Sequence, residues 1–337
     1  MTVSPVRRRF AVFALFFLPG LAMASWVART PDVRDLLGAS TGRMGLVLFG
    51  LSVGSMVGIL CSGPLVARWG ARPVIAAGTL ATAAGSGVIG LGAGAGSDAA
   101  VALGLALIGL GMGGGEVALN IEGAEVERLL GRSTLPAMHG FYSLGTVVGA
   151  VAGMLLTAVS FPVLWHLVVV TAVVLAVLVP VIRYVPAGVG RRTGTGPRER
   201  DAARPAVWRE PKLLLIGGII LALAMAEGTA NDWLPLVMVD GHGFDAALGS
   251  AVYAVFAAAM TVGRFAGGPF VDRYGRAAAL CASAVVGALG IALVILVDHQ
   301  GVAAGGGRLG GQGGGGGSRP ANGGSPRPAR GGGGILK

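Results

Sequence analysis

The sequence predicts an all-α, polytopic membrane protein: a bundle of about nine apolar helices in two related halves, the second incomplete. Composition is the first reason. With 53% apolar residues, 12% charged residues and a mean hydropathy of +0.74, the chain holds more hydrophobic surface than one soluble core can bury. An internal repeat is the second. Gly63-Pro64-Leu65-Val66-Ala67-Arg68-Trp69-Gly70 returns 205 positions later as Gly268-Pro269-Phe270-Val271-Asp272-Arg273-Tyr274-Gly275, each time directly after an apolar run. A basic turn recurring between apolar runs fits a membrane bundle with parallel repeats, the plan of a secondary transporter. Charge placement is the third. The 26 Lys and Arg outnumber the 16 Asp and Glu, but they cluster at the ends of apolar runs instead of forming one face, which marks topogenic charge and excludes a nucleic-acid partner.

Taken in order, the apolar runs lie at residues 9–29, 44–66, 73–95, 99–121, 136–159, 163–184, 213–239, 247–270 and 277–297, each near the roughly 20 residues that cross the hydrocarbon. The first follows Arg7, Arg8 and Arg9 and contains Ala22-Met23-Ala24, similar to a signal-peptide cleavage site, but it continues through Trp26 and Val27 and is read as a span. Arg68 and Arg72, Arg128 and Arg132, and Arg273 and Arg276 then fall on the same side as the N-terminus. Short loops rich in Arg stay cytoplasmic, so the N-terminus is expected inside an inner (plasma) membrane. These runs divide the chain into a six-helix domain at 1–184, a basic cytoplasmic linker at 185–211, a three-helix partial domain at 212–298 and a Gly-rich tail at 299–337. The tail has no apolar face to offset its ordering entropy, and disorder is expected from about residue 301.

The loop carrying Gly63, Arg68, Gly70 and Arg72 resembles the cytoplasmic signature loop of the major facilitator superfamily, roughly G-x-x-x-D-R-x-G-R-R. The copy with Gly268, Asp272, Arg273, Gly275 and Arg276 is more similar to that pattern, because the first copy has Ala67 where the family usually has Asp. Glycines would allow a tight helix end and turn, while the arginines hold the turn cytoplasmic. The resemblance covers about residues 10–297. It implies twelve spans in two six-helix domains, with a substrate site at mid-membrane between them. A shifted reading frame, a genuine disordered tail and a miscounted span remain open as readings of the Gly-rich end.

Within the fourth span, Glu116 follows Gly113-Gly114-Gly115 and precedes Asn120 by one turn. An intramembrane carboxylate is costly to retain and is functional by default. The pattern is similar to the fourth span of fucose-permease-like carriers, which implies Glu116 as a proton-binding group and Asn120 as a substrate or helix-gluing amide. The first span lacks the partner acid of those permeases. Glu122, Glu125 and Glu127 read as a solvated helix end with local ion pairs, with Glu122 the one of the three that can sit deep enough to matter. In the seventh span Glu227 and Asn231 share a face and complete the expected substrate and proton site, with Asp232 as an accessory. His139 and Tyr142 in the fifth span are gate candidates, and Arg264 in the eighth either snorkels or neutralises a carboxylate. Small residues every fourth position, Gly50, Gly54 and Gly58 and again Gly145, Gly149 and Gly153, point to close helix packing. Cys61 and Cys281 lack metal-ligand spacing, and there is no Walker loop or Gly-x-Ser-x-Gly elbow.

The expected function is secondary active transport of a small, sugar-like polar solute by alternating access, coupled to protons as symport. No enzyme activity, cofactor or metal is expected, and a monomer in the bilayer is. Two alternatives stand beside it: a drug or metabolite exporter of the same superfamily, and a non-transporting or inactive truncated membrane protein.

Overall fold

The computed structural model describes residues 4–131, 134–192 and 211–296. Side chains at 264–272, 275–280 and scattered further positions lie outside the description. Nine α-helices are described: α1 (Pro5–Val27), α2 (Thr30–Leu37), α3 (Thr41–Trp69), α4 (Ala71–Gly94), α5 (Asp98–Leu130), α6 (Leu135–Ala158), α7 (Val163–Val181), α8 (Pro211–Leu236) and α9 (Ala246–Leu296). Among the described residues seven segments are long and apolar enough to cross a membrane: α1, α3, α4, α5, most of α6, α7 with its following turn, and the first part of α9. The expected tail, and residues 193–210 of the expected linker, fall outside the described residues.

Local sequence sets the ends of these helices. Pro5 starts α1, where its missing N–H costs nothing. Ser40 and Ser97 accept hydrogen bonds from the N–H groups of Arg43 and Ala100, capping α3 and α5. Gly131 closes α5 in the left-handed region at φ 62°. The short α2, with Pro31 in its first turn and Gly38 as its C-cap, was not anticipated from hydropathy, because eight residues are too few to register as an apolar run.

Glycine faces hold the first six spans together. Gly50, Gly54 and Gly58 of α3 lie against the backbone carbonyls of Ala102, Ala106 and Leu110 in α5, so close that a Cβ at any of them would overlap its neighbour. On the other side of α5, Gly104 and Gly111 meet Gly85 and Gly78 of α4. The helix pair α1 and α6 repeats the device through Gly145 and Gly149 against Phe17 and Leu21. In a bilayer, where lipid tails are as apolar as leucine, such backbone approach supplies the dispersion contact that association requires. The outer surface is correspondingly apolar: Leu46, Phe49, Leu60, Leu91 and Val179 are all more than 60% exposed, a surface suited to lipid and not to water.

The sharp turn of the first repeated loop sits at Gly70, with φ 88° and ψ 170°, a conformation essentially confined to glycine. Gly63 does not make a turn. It lies inside α3, which continues through Pro64 to Trp69, and open space surrounds it. The chain after α7 returns to this loop: the N–H of Ala71 donates to Val189 O at 2.8 Å and that of Arg192 to Ala67 O at 2.9 Å.

The second copy behaves differently. Where the sequence predicts an eighth span, a turn and a ninth span, α9 runs unbroken over 51 residues, about 76 Å at 1.5 Å per residue and well over twice the roughly 30 Å hydrocarbon thickness. Gly268 and Gly275 therefore form no turn here. In the first copy the turn is held by a returning segment bonded to both of its sides, and among the described residues nothing equivalent reaches residues 268–276.

The two halves meet along α6 and α9 and at the end of the bundle that carries α2. The Ser250 hydroxyl donates to Ala28 O at 2.6 Å, and the Trp233 ring lies 3.6 Å from where a Cβ on Gly45 would stand. Arg34 of α2 pairs with Asp240, which sits in a π-helical turn at Val237–Gly241 after α8. Deeper in the bundle, the Thr261 hydroxyl of α9 donates to Ser143 O of α6 at 3.1 Å.

Candidate transport cavity

Between the halves lies a cavity of about 230 Å³. It draws its wall from α1 (Phe16, Leu18, Pro19), α4 (Thr79, Thr82), α5 (Gly111, Met112, Gly115, Glu116, Leu119), α6 (His139, Tyr142), α7 (Val174) and α8 (Glu227). Helix periodicity explains the α5 contribution: residues 112, 115, 116 and 119 share one face, and the glycines within it let α4 pack close enough to bring Thr79 and Thr82 alongside.

Four residues singled out in the sequence thus line one space: Glu116, His139, Tyr142 and Glu227. Glu116 is exposed to it and makes no hydrogen bond or ion pair with another described residue. The His139 ring meets Phe16 edge to face at 5.2 Å. Asn120, one turn beyond Glu116, is half-buried and does not line the cavity. Asn231 and Asp232 are also outside its wall. The Asn231 amide nitrogen donates to Glu227 O at 2.9 Å, and its oxygen accepts from the Tyr253 hydroxyl at 3.3 Å, so this residue ties α8 to α9. The side chain of Arg264 lies outside the described residues.

In the signature loops, Arg68 stacks over the Trp69 ring at 5.8 Å and Arg273 over the Tyr274 ring at 5.5 Å. The two copies share that cation–π contact in spite of their different backbones. Arg72 is half-buried. The side chains of Asp272 and Arg276 fall outside the description, and Gly268 and Gly275 lie on the backbone of α9.

Sequence reasoning missed the wall residues Phe16, Thr79 and Thr82. Thr79 and Thr82 are three apart in an otherwise small and apolar run, a same-face polar pair that was available as a signal. It also missed a buried ion pair. Glu122, the acid of the three that could sit deep, is fully buried, and its partner is Arg8, which the charge pattern alone places as topogenic: Arg8 Nε bonds Glu122 Oε1 with the two residues 5% and 0% exposed. The neighbouring acids do behave as a helix end: Glu125 pairs with Arg128, and Glu127 accepts from the N–H groups of Thr134 and Leu135 at the start of α6.

A multi-pass helical bundle with a polar, carboxylate-bearing cavity between two halves is the architecture of a solute transporter. Residues 9–321 match the family model of the Major Facilitator Superfamily, and the chain belongs to that family. It is 31% identical over 285 residues to an uncharacterised transporter of this type from Yersinia pestis, covering 85% of this chain and 71% of that one. Among solved structures, the nucleoside transporter NupG aligns over 90% of this chain and 78% of its own, with a TM-score of 0.64 and 15% identity. The fucose:proton symporter FucP of E. coli aligns over 91% and 82%, with a TM-score of 0.55 and 15% identity. At such identities the two structures establish a shared fold. Membrane embedding and transport of a small solute follow from the family.

Proposed function

We propose that the chain is a proton-coupled carrier of a small polar, sugar-like solute, working by alternating access about the central cavity. One observation carries the reading: Glu116 from the first half and Glu227 from the second line the same space. A carboxylate that becomes enclosed away from water is costlier when ionised than when protonated. Protonation of Glu116 therefore changes the relative cost of cavity shapes that expose or enclose it, which is what coupling requires. His139 and Tyr142 lie on the early part of α6 and serve as gate residues beside it. The solved neighbours named as sugar and nucleoside transporters share this fold and favour a polar solute.

Orientation follows the distribution of arginine, with the N-terminus and the loop at Gly70 on the cytoplasmic side of the inner membrane. On that orientation the contacts between halves at Ser250, Trp233 and Asp240 lie toward the outer face. Uptake of radiolabelled monosaccharides into proteoliposomes with an acidic exterior tests the proposal. Accumulation that collapses on adding a protonophore is expected. Uptake indifferent to the proton gradient would overturn the coupling, and no uptake of any sugar would overturn the solute class.

A further inference from the structure

We propose that the cleft between α3 and α4 holds an anionic phospholipid, with an acyl chain lying in the cleft and the phosphate resting on Arg68, Arg72 and Arg192. The site is on the outside of the bundle and does not depend on which solute crosses the cavity. The orientation given above assigns the lipid to the cytoplasmic leaflet.

The first argument is the shape and polarity of the cleft, which encloses about 160 Å³. Cys61, Leu65 and Trp69, each four residues apart, form the α3 wall, and Pro73, Ala77 and Ala81 repeat that spacing on α4, while α5 closes the back. The Cys61 thiol and the Trp69 indole N–H are the only polar side-chain groups in the described lining. A polar solute would lose its water there without gaining partners, whereas an acyl chain loses nothing. Cys61, Trp69, Pro73 and Ala77 are exposed, so the cleft opens on the apolar outer surface, flanked by Leu60 and Leu80. From Gly58 to Trp69 it follows α3 for about 16 Å at 1.5 Å per residue, close to half of the roughly 30 Å hydrocarbon. The cleft therefore spans the depth of one leaflet and ends at the Gly70 turn.

The second argument is the charge at that end. Arg68 stacks on the Trp69 ring at 5.8 Å, and Arg72 stands in the first turn of α4. Arg192, whose N–H donates to Ala67 O, is brought beside them by the chain returning after α7. Among the described residues none of these three arginines forms an ion pair. A tryptophan at the edge of the hydrocarbon marks headgroup level, and unpaired guanidinium groups there attract a phosphate that carries net charge. A zwitterionic headgroup would bring an ammonium into the same cluster. A second copy docked by this face would set its own Arg68 and Arg72 against these, and like charges oppose that dimer.

The test compares phosphatidylglycerol with phosphatidylcholine of the same acyl chains, in mixed micelles with the purified full-length chain. Maleimide labelling of Cys61 in a Cys281→Ser background reports whether the cleft is filled, and lipid retained after gel filtration reports binding. Phosphatidylglycerol is expected to protect Cys61 at about tenfold lower mole fraction than phosphatidylcholine, the factor that two or more arginines near a membrane surface supply. Arg68→Gln/Arg72→Gln is expected to bring the two lipids together, and glycerol 3-phosphate, which has no chain, to leave the labelling unchanged. Equal protection by the two lipids would overturn the proposal, as would a preference that survives the double substitution. Retained phosphatidylglycerol with Cys61 labelled at full rate, or protection by glycerol 3-phosphate alone, would do the same. If the double variant does not fold, the comparison of the two lipids on the Cys281→Ser chain decides by itself. Proton-driven uptake in proteoliposomes is read separately, so loss of the lipid site leaves the transport reading standing.

Discussion

Replacing Glu122 by leucine strands the guanidinium of Arg8 in the interior of the first half. Arg8 and Glu122 are 5% and 0% exposed, so water cannot take over the role of the lost carboxylate. Leaving one member of a buried ion pair without its partner costs about 3–5 kcal/mol. At roughly 2 °C per kcal/mol for a chain of this size, the melting midpoint in detergent is expected to fall by about 6–10 °C. The pair is itself imperfect: Arg8 Nη2 and Glu122 Oε2 are buried without hydrogen-bond partners. The double substitution Arg8→Met/Glu122→Leu, which removes both charges and keeps similar volume, is therefore expected to recover most of the loss. Thermal unfolding followed by tryptophan fluorescence reads both variants. A single substitution that melts with the wild type, or a double that melts below the single, would refute the reasoning.

Other consequences are smaller and equally specific. Gly54→Leu must push α3 away from the Ala106 carbonyl and is expected to cost at least about 1–3 kcal/mol, while Gly63→Ala, in open space, should leave the melting point near wild type; equal effects on the two would contradict the glycine packing. Gly70→Ala forces a side chain into the φ 88°, ψ 170° conformation and is expected to destabilise by about 1–3 kcal/mol, again read by thermal unfolding. Asp240→Asn breaks a pair whose acid is 38% exposed, so its effect should stay within about 1 kcal/mol and fade in high salt; a loss as large as that of Glu122→Leu would show the two pairs to be equivalent.

How far these features could be read in the sequence depends on which physical signal carried them. The six spans of the first half were legible because each is a long apolar run with charge at its ends, and α1 and α3–α7 lie where those runs are. Glycine spacing likewise announced the α3–α5 and α1–α6 contacts, since a residue repeated every fourth position marks one face of a helix. Glu116 and Glu227 stood out because an acid inside an apolar run is rare. Position around the helix axis was less legible. Asn120 and Asn231 share turns with those acids but do not line the cavity, because four residues advance about 40° beyond a full turn and partner helices decide which part of a face is covered. The pairing of Arg8 with Glu122 was hidden for another reason: the two are 114 residues apart, and no local pattern encodes that approach. The break expected near Gly268 rested on the likeness to the first loop, where residues 189 and 192 supply hydrogen bonds that the loop sequence alone does not contain.

Solute-driven proton movement is the most direct test of the central claim that the cavity between Glu116 and Glu227 couples solute to protons. Proteoliposomes loaded with a pH-sensitive dye are given the best-binding solute outside, without an imposed gradient, and the internal pH is followed. Internal acidification with the wild-type chain is expected, and its loss in Glu116→Gln while solute counterflow persists. Acidification that is absent in the wild type, or unchanged in Glu116→Gln, would contradict the account.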